Sequence, residues 1–189
     1  MNLEEIIKIA KETLSEKRFK HSYEVMQRCE ELAKIYDIDT NKAKLVGIAH
    51  DIAKEMPNEE KFKYIDENNI EIDDIEKNNG ALLHGKIGAD ICKKRFGFTE
   101  EMARAVRIHT TGNNNMSILD KILFIADSTS DDRNFDNLDY IVDLGNTDIN
   151  KAVLYIVEYK IKSNTERNKT IHPNSVLARE DIIKNVCNL

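Results

Sequence analysis

The 189-residue chain has little of what builds a sheet. It holds two prolines and seven glycines, and shows neither an alternating apolar pattern nor an internal repeat. An all-α fold is therefore expected. Cysteine is scarce too. Cys29, Cys92 and Cys187 are odd in number, far apart and never in a CxxC pair. This excludes a disulfide framework and a zinc–thiolate site, and points to a reducing cytoplasm. A basic surplus is missing. The net charge of −6 argues against nucleic acid as a partner, and a polyphosphate would have to be held by local cations against the global field. No apolar run approaches membrane-spanning length, and Met1-Asn2-Leu3-Glu4-Glu5 is too acidic and amphipathic for a signal peptide. What remains, 41% hydrophobic and 33% charged residues, is the composition of a globular chain long enough to bury the core of a single domain.

Helical spacing accounts for most of the chain. Leu3, Ile6, Ile7, Ala10 and Leu14 share one stripe. A second helix is read as starting near His21. A third is capped by Asp39 or Thr40 and runs to about Lys54. Pro57 suits the first turn of a short helix carrying Phe62 and Ile65. Residues 68–80 read as a long polar loop, and 81–96 as a helix stopped by Gly97. Thr99 caps a helix through His109, and Ser117 with Asp120 resembles a capping box. Further helices are expected near 148–162 and 175–187.

The chemistry starts from His50-Asp51, at the end of an apolar helix (Ala43, Leu45, Val46, Ile48, Ala49) and followed by Lys54. Burying an imidazole and a carboxylate side by side is costly unless something compensates, and a metal ion commonly does. The run Ile118 to Ala126 is apolar on most sides, so it should be central, and it ends on Asp127. A buried Asp127 could be neutral or paired with an arginine. With Asp51 and four histidines at or near helix ends (His21, His50, His84, His109), a metal cluster is the simpler account. Imidazole plus carboxylate without thiolate suits Fe, Mn, Co, Ni or Zn rather than Ca or Mg. Six candidate ligands exceed the needs of one ion and suit two. Lys54, three residues after Asp51, shares its face and could hold a phosphate. His172 beside Pro173 reads as a tail or turn residue. Lys17, Arg18 and Lys20 read as a solvated helix end, and Tyr155 with Tyr159 as packing.

The order His21, His50-Asp51, Asp127 resembles the H…HD…D signature of HD-domain metal-dependent phosphohydrolases. His21-Ser22, AHDIAK (49–54), LLHGKIGA (82–89), HTTG (109–112) and MSILDKILFIAD (116–127) resemble the YqeK branch, with an echo in IHPNSVLAR (171–179). The resemblance implies one HD domain over 1–189, its metal-site region about 18–133 and helices of 147–189 packed upon it. It implies a dinuclear centre, iron first among the candidate metals. His21, His50, Asp51 and Asp127 would hold one ion and His84 and His109 the other, with Asp51 bridging. The implied activity is symmetrical hydrolysis of diadenosine tetraphosphate to two ADP by attack of a metal-bound hydroxide on an inner phosphate. Asp51 and Lys54 are the expected catalytic residues, and Lys54, Thr110, Thr111 and Arg133 the substrate contacts. Where the family tends to read AD-x-x-E-P-x-R, this chain has Ser130 for the glutamate and Asp131 for the proline. That departure leaves two alternatives: action on other nucleotides, or a metal-containing nucleotide sensor with little turnover.

Overall fold

The computed structural model describes residues 1–130 and 137–187, and every regular element among them is helical. The elements are α1 (Leu3–Thr13), α2 (Glu16–Ile35), α3 (Thr40–Ala49), α4 (Asn58–Glu67), α5 (Asp74–Asn78), α6 (Leu83–Ile91), α7 (Glu100–Ile108), α8 (Ile118–Ser128), α9 (Leu138–Thr147), α10 (Ile149–Glu166) and α11 (Pro173–Cys187). The expected all-α class is what the chain adopts. No helix among the described residues is long and apolar enough to cross a membrane.

The apolar run ending at Asp127 forms α8, and α8 packs against α2, α3, α7 and α10. Ile122, Leu123, Phe124, Ile125 and Ala126 have no exposed surface. At about 25 cal/mol per Å² of apolar area buried, this helix is a main contributor to the core. The Ser117–Asp120 capping box starts it as expected.

Several boundaries differ from expectation. α2 starts at Glu16, capped by the Ser15 side chain, so His21 lies inside the helix rather than at its start. Lys17, Arg18 and Lys20 are good helix formers and extend it backwards from its apolar stripe. α3 ends at Ala49, not near Lys54. The chain then tightens into turns in which Ile52, Lys54 and Met56 donate to the carbonyls three residues back. Pro57 is the residue before α4, not its first member. The polar stretch 68–80 contains α5, nucleated by an Asp73–Glu76 capping box. α6 starts at Leu83 and continues into a π-turn at Cys92–Phe96. α9 was not anticipated; its cap position carries no side-chain hydrogen bond, so it lacks a local start signal.

Two close backbone approaches set the helix spacing. A Cβ on Gly47 would lie 2.7 Å from the Cα of Met26, so α3 meets α2 backbone to backbone. A Cβ on Gly85 would lie 2.7 Å from the Arg107 carbonyl oxygen, and α6 meets α7 in the same way.

Candidate metal centre

These helices deliver six polar side chains to one interior spot. His21 comes from α2, His50 and Asp51 from the end of α3, His84 from the first turn of α6, His109 from the end of α7 and Asp127 from the last turn of α8. All six are between 0 and 5% exposed, so each must be matched by protein or ligand.

The imidazoles are aimed by their outer nitrogens. His50 Nδ1 lies 2.7 Å from the Gly47 carbonyl, His84 Nδ1 2.6 Å from Ala81, and His109 Nδ1 2.6 Å from Val106. A carbonyl only accepts, so each Nδ1 carries a proton and, in the neutral ring, each Nε2 turns a lone pair inward; burial opposes charge on His50, but Asp51 and Asp127 beside it raise its pKa. His21 differs. Its Nδ1 lies 3.1 Å from Ser130 Oγ, which in turn donates to the Asp127 carbonyl at 3.3 Å.

Two groups of inward atoms result, and they share one carboxylate. In the first, His21 Nε2 is 3.2 Å from Asp127 Oδ1, His50 Nε2 is 3.7 Å from the same oxygen, and His50 Nε2 is 3.5 Å from Asp51 Oδ2. In the second, His84 Nε2 and His109 Nε2 are 3.2 and 3.5 Å from Asp51 Oδ1, and 3.1 Å from each other. Ligands bound at 2.0–2.2 Å to one ion sit about 3.3–3.6 Å apart in a tetrahedron and about 2.8–3.1 Å apart at right angles. The donor chemistry fits a metal as well as the spacing does. His84 and His109 face each other with two lone pairs, which repel unless a cation lies beside them, as the Lys54 ammonium does at His84 and a metal ion would at both. His50 Nε2 and Asp51 Oδ1 are buried without a hydrogen bond of regular geometry.

Protonation follows from burial and charge. Burial alone would raise Asp51, but His50 beside it, with His109 and His84, holds it well below the usual carboxylate range. Burial pushes His84 down to about 4, with His109 and Lys54 adding to the effect against Asp51. Burial likewise lowers His109. Both rings are therefore neutral at pH 7, the form that binds metals. Cys29 and Cys92 are buried free thiols raised far above their ordinary value by desolvation.

The flanking residues divide. Lys54 Nζ is 3.2 Å from His84 Nε2 and 3.8 Å from Asp51 Oδ1, with its side chain one-third exposed. Thr110 Oγ1 is 3.3 and 3.5 Å from the Nε2 atoms of His109 and His84. The Thr111 hydroxyl instead donates to the Gly112 carbonyl at 2.9 Å. Arg133 lies outside the described residues. A cavity of about 840 Å³ opens over the centre, lined by Lys54, His109, Thr110, Asp127, Tyr159 and Thr170 among others. His172, read as a tail or turn residue, lies immediately before α11; it is buried and its Nε2 faces Asp73 Oδ2 at 3.0 Å.

Two residues at the centre escaped the sequence reading. Arg18 belongs to the supposed solvated cluster, yet its Nη1 is 3.0 Å from Asp51 Oδ2. Nearby, Glu55 accepts from both the backbone and the hydroxyl of Ser15 at 2.7 Å, which ties α2 to the turn after Asp51. Ser130, noted only as a departure, orients His21. No local signal marks either partnership, because the residues involved are 33 and 109 positions apart.

A helical bundle closing over paired histidine–aspartate groups defines an HD-domain protein. The HD domain model matches residues 18–132, and the chain belongs to this family. It is 32% identical over 184 residues to "Bis(5'-nucleosyl)-tetraphosphatase, symmetrical" of Halalkalibacterium halodurans, covering 97% of this chain and 98% of the relative. It is 33% identical to the protein of the same name in Staphylococcus aureus, over 90% of this chain and 92% of that one. A crystal structure from Clostridium acetobutylicum, described as a "predicted HD superfamily hydrolase involved in NAD metabolism", matches with a TM-score of 0.93 at 35% identity, over 98% of each chain.

Proposed function

We propose that this protein is a metal-dependent hydrolase that cleaves diadenosine tetraphosphate and water to two ADP. The observation that supports this most is the pair of inward-facing ligand groups sharing Asp51, in a chain about a third identical to symmetrical tetraphosphatases over nearly its whole length. The proposal covers residues 1–189 as one HD domain acting in the cytoplasm.

His21, His50, Asp51 and Asp127 would hold one ion, and His84, His109 and the other oxygen of Asp51 the second. Iron is the first choice, with Mn, Co, Ni or Zn suited to the same ligands. A metal pair in such a site polarises phosphoryl oxygens and makes water nucleophilic near neutral pH. The chain's own groups do the rest. Asp51 keeps its negative charge and fixes the spacing of the two groups. The Lys54 ammonium stands where charge grows on the departing ADP, and Thr110 offers a hydroxyl to a phosphate oxygen. Thr111 would contribute its position, and Arg133 a bidentate phosphate contact.

Protein purified anaerobically, assayed for metal and incubated with diadenosine tetraphosphate, tests this reading. ADP alone, with about two metal ions per chain, is expected. AMP plus ATP would overturn the cleavage position. Full metal loading with no turnover on this or other nucleotides would leave a nucleotide-binding module in its place.

A further inference from the structure

A symmetric substrate is cut at its midpoint, so the centre must admit a nucleotide arm along two separate paths. The 840 Å³ cavity supplies one. A second cavity of about 310 Å³ adjoins it, lined by Lys86, Arg107 and Asn113 among others. The two meet at Leu82, Thr110, Thr111 and His172. Thr110 Oγ1 is 3.3 Å from His109 Nε2, so the smaller cavity begins at the edge of the His84–His109 group. Its volume lies at the lower end of the roughly 300–1,000 Å³ range of small-molecule sites. That is room for a nucleoside and not for the whole substrate.

Its charge points to a polyphosphate arm. Arg104 is committed to Asp120 and to the carbonyls of Asn114 and Asn115. Lys86 is held by Glu76 at 2.6 Å and by the Glu71 carbonyl at 2.8 Å. Arg107 pairs through one nitrogen with the exposed Glu100 at 2.8 Å, and its side chain is 41% exposed. Its remaining donors suit a phosphate.

Asp73, Glu76 and His172 stand close enough at the rim to suggest a further cation site, but the histidine's tautomer opposes it. The Asn174 N–H donates to His172 Nδ1 at 3.1 Å, so the neutral ring keeps its proton on Nε2, toward Asp73. A protonated nitrogen has no lone pair to offer a metal. His172 is a fixed partition between the cavities, braced by the Ser175 hydroxyl donating to the Thr111 carbonyl at 2.9 Å.

We propose that the smaller cavity is the subsite for the second adenosine arm of a dinucleoside polyphosphate, with Arg107 reaching its phosphates; this rests on the hydrolase reading above. Asn113→Trp fills the cavity and Arg107→Ala removes its available cation. In the metal-loaded enzyme, each variant should raise KM for diadenosine tetraphosphate by about tenfold, a loss of one good charged contact. KM for adenosine 5′-tetraphosphate, which keeps all four phosphates but lacks the second nucleoside, should stay within about twofold for Asn113→Trp and rise with Arg107→Ala, and metal content should not change. Equal effects of Asn113→Trp on both substrates, or no effect of either variant on diadenosine tetraphosphate, would overturn the subsite. Equilibrium dialysis with ADP gives an independent count: two per chain for the unaltered protein and one for Asn113→Trp support the proposal, and one for both refutes it. That count does not depend on turnover. A hydrolase reading that fails on product analysis is therefore told apart from a subsite that fails on occupancy.

Discussion

The two ligand groups are built by different means. His84 and His109 each lean on a backbone carbonyl three residues back, at Ala81 and Val106, on helices held at backbone contact by Gly85. In the other group, His50 has the same support, but His21 relies on Ser130. The cause lies in helix position. Carbonyls in the last turn of a helix, those of Gly47 in α3 and Val106 in α7, and the Ala81 carbonyl just before α6 are not needed by helix bonds and are free to fix a ring. His21 sits inside α2, where the carbonyls serve the helix itself, so its orientation must come from another part of the chain. One group is set by local backbone and the other by a long-range side-chain contact.

The largest expected effect is at the carboxylate both groups share. Asp51→Asn should lower the metal content from about two ions per chain to less than one, and turnover by at least about 10³-fold. Retention of both ions would show that the groups do not depend on Asp51. Gly85→Val should act on one group alone. The added side chain meets the Arg107 carbonyl, parting His84 from His109 and costing about 2–3 kcal/mol in urea unfolding. One ion per chain should remain. Ser130→Ala should weaken metal binding at the His21 group by about 10–100-fold, the usual cost of losing a ligand's outer hydrogen bond. Competition with a chelator measures this, and the loss should be larger at the His21 group than at the His84–His109 group, which is linked to it through Asp51. Ser15→Ala should cost about 1 kcal/mol through the lost helix cap and leave metal affinity alone. A fall in affinity at the His21 group would mean that the anchoring of α2, not Ser130, sets that ring.

Legibility in the sequence follows the same division. The apolar run of α3, the end of α7, the apolar run of α8 and its capping box are local patterns, so His50-Asp51, His109 and Asp127 could be placed next to them, although α3 itself stops sooner than its pattern suggests. The start of α2 was missed because its polar first turn hides the apolar periodicity that begins later, and with it went the role of Arg18 beside Asp51. Ser130 looked like a lost glutamate, because nothing within a few residues shows that it faces His21. The short α5 and uncapped α9 escaped for a related reason: their positions depend on neighbours distant in the chain.

The division of Asp51 between the groups, one oxygen to each, bears on how the protein fills with metal. In the dinuclear reading proposed above, the first ion to arrive would fix the carboxylate's rotation and so prepare the other oxygen for the second. Binding at either place then favours binding at its neighbour by the same factor, since such coupling is reciprocal. Metal titration should be sigmoidal. At half the full dose, the solution should hold chiefly empty and doubly loaded molecules, with the singly loaded form scarce.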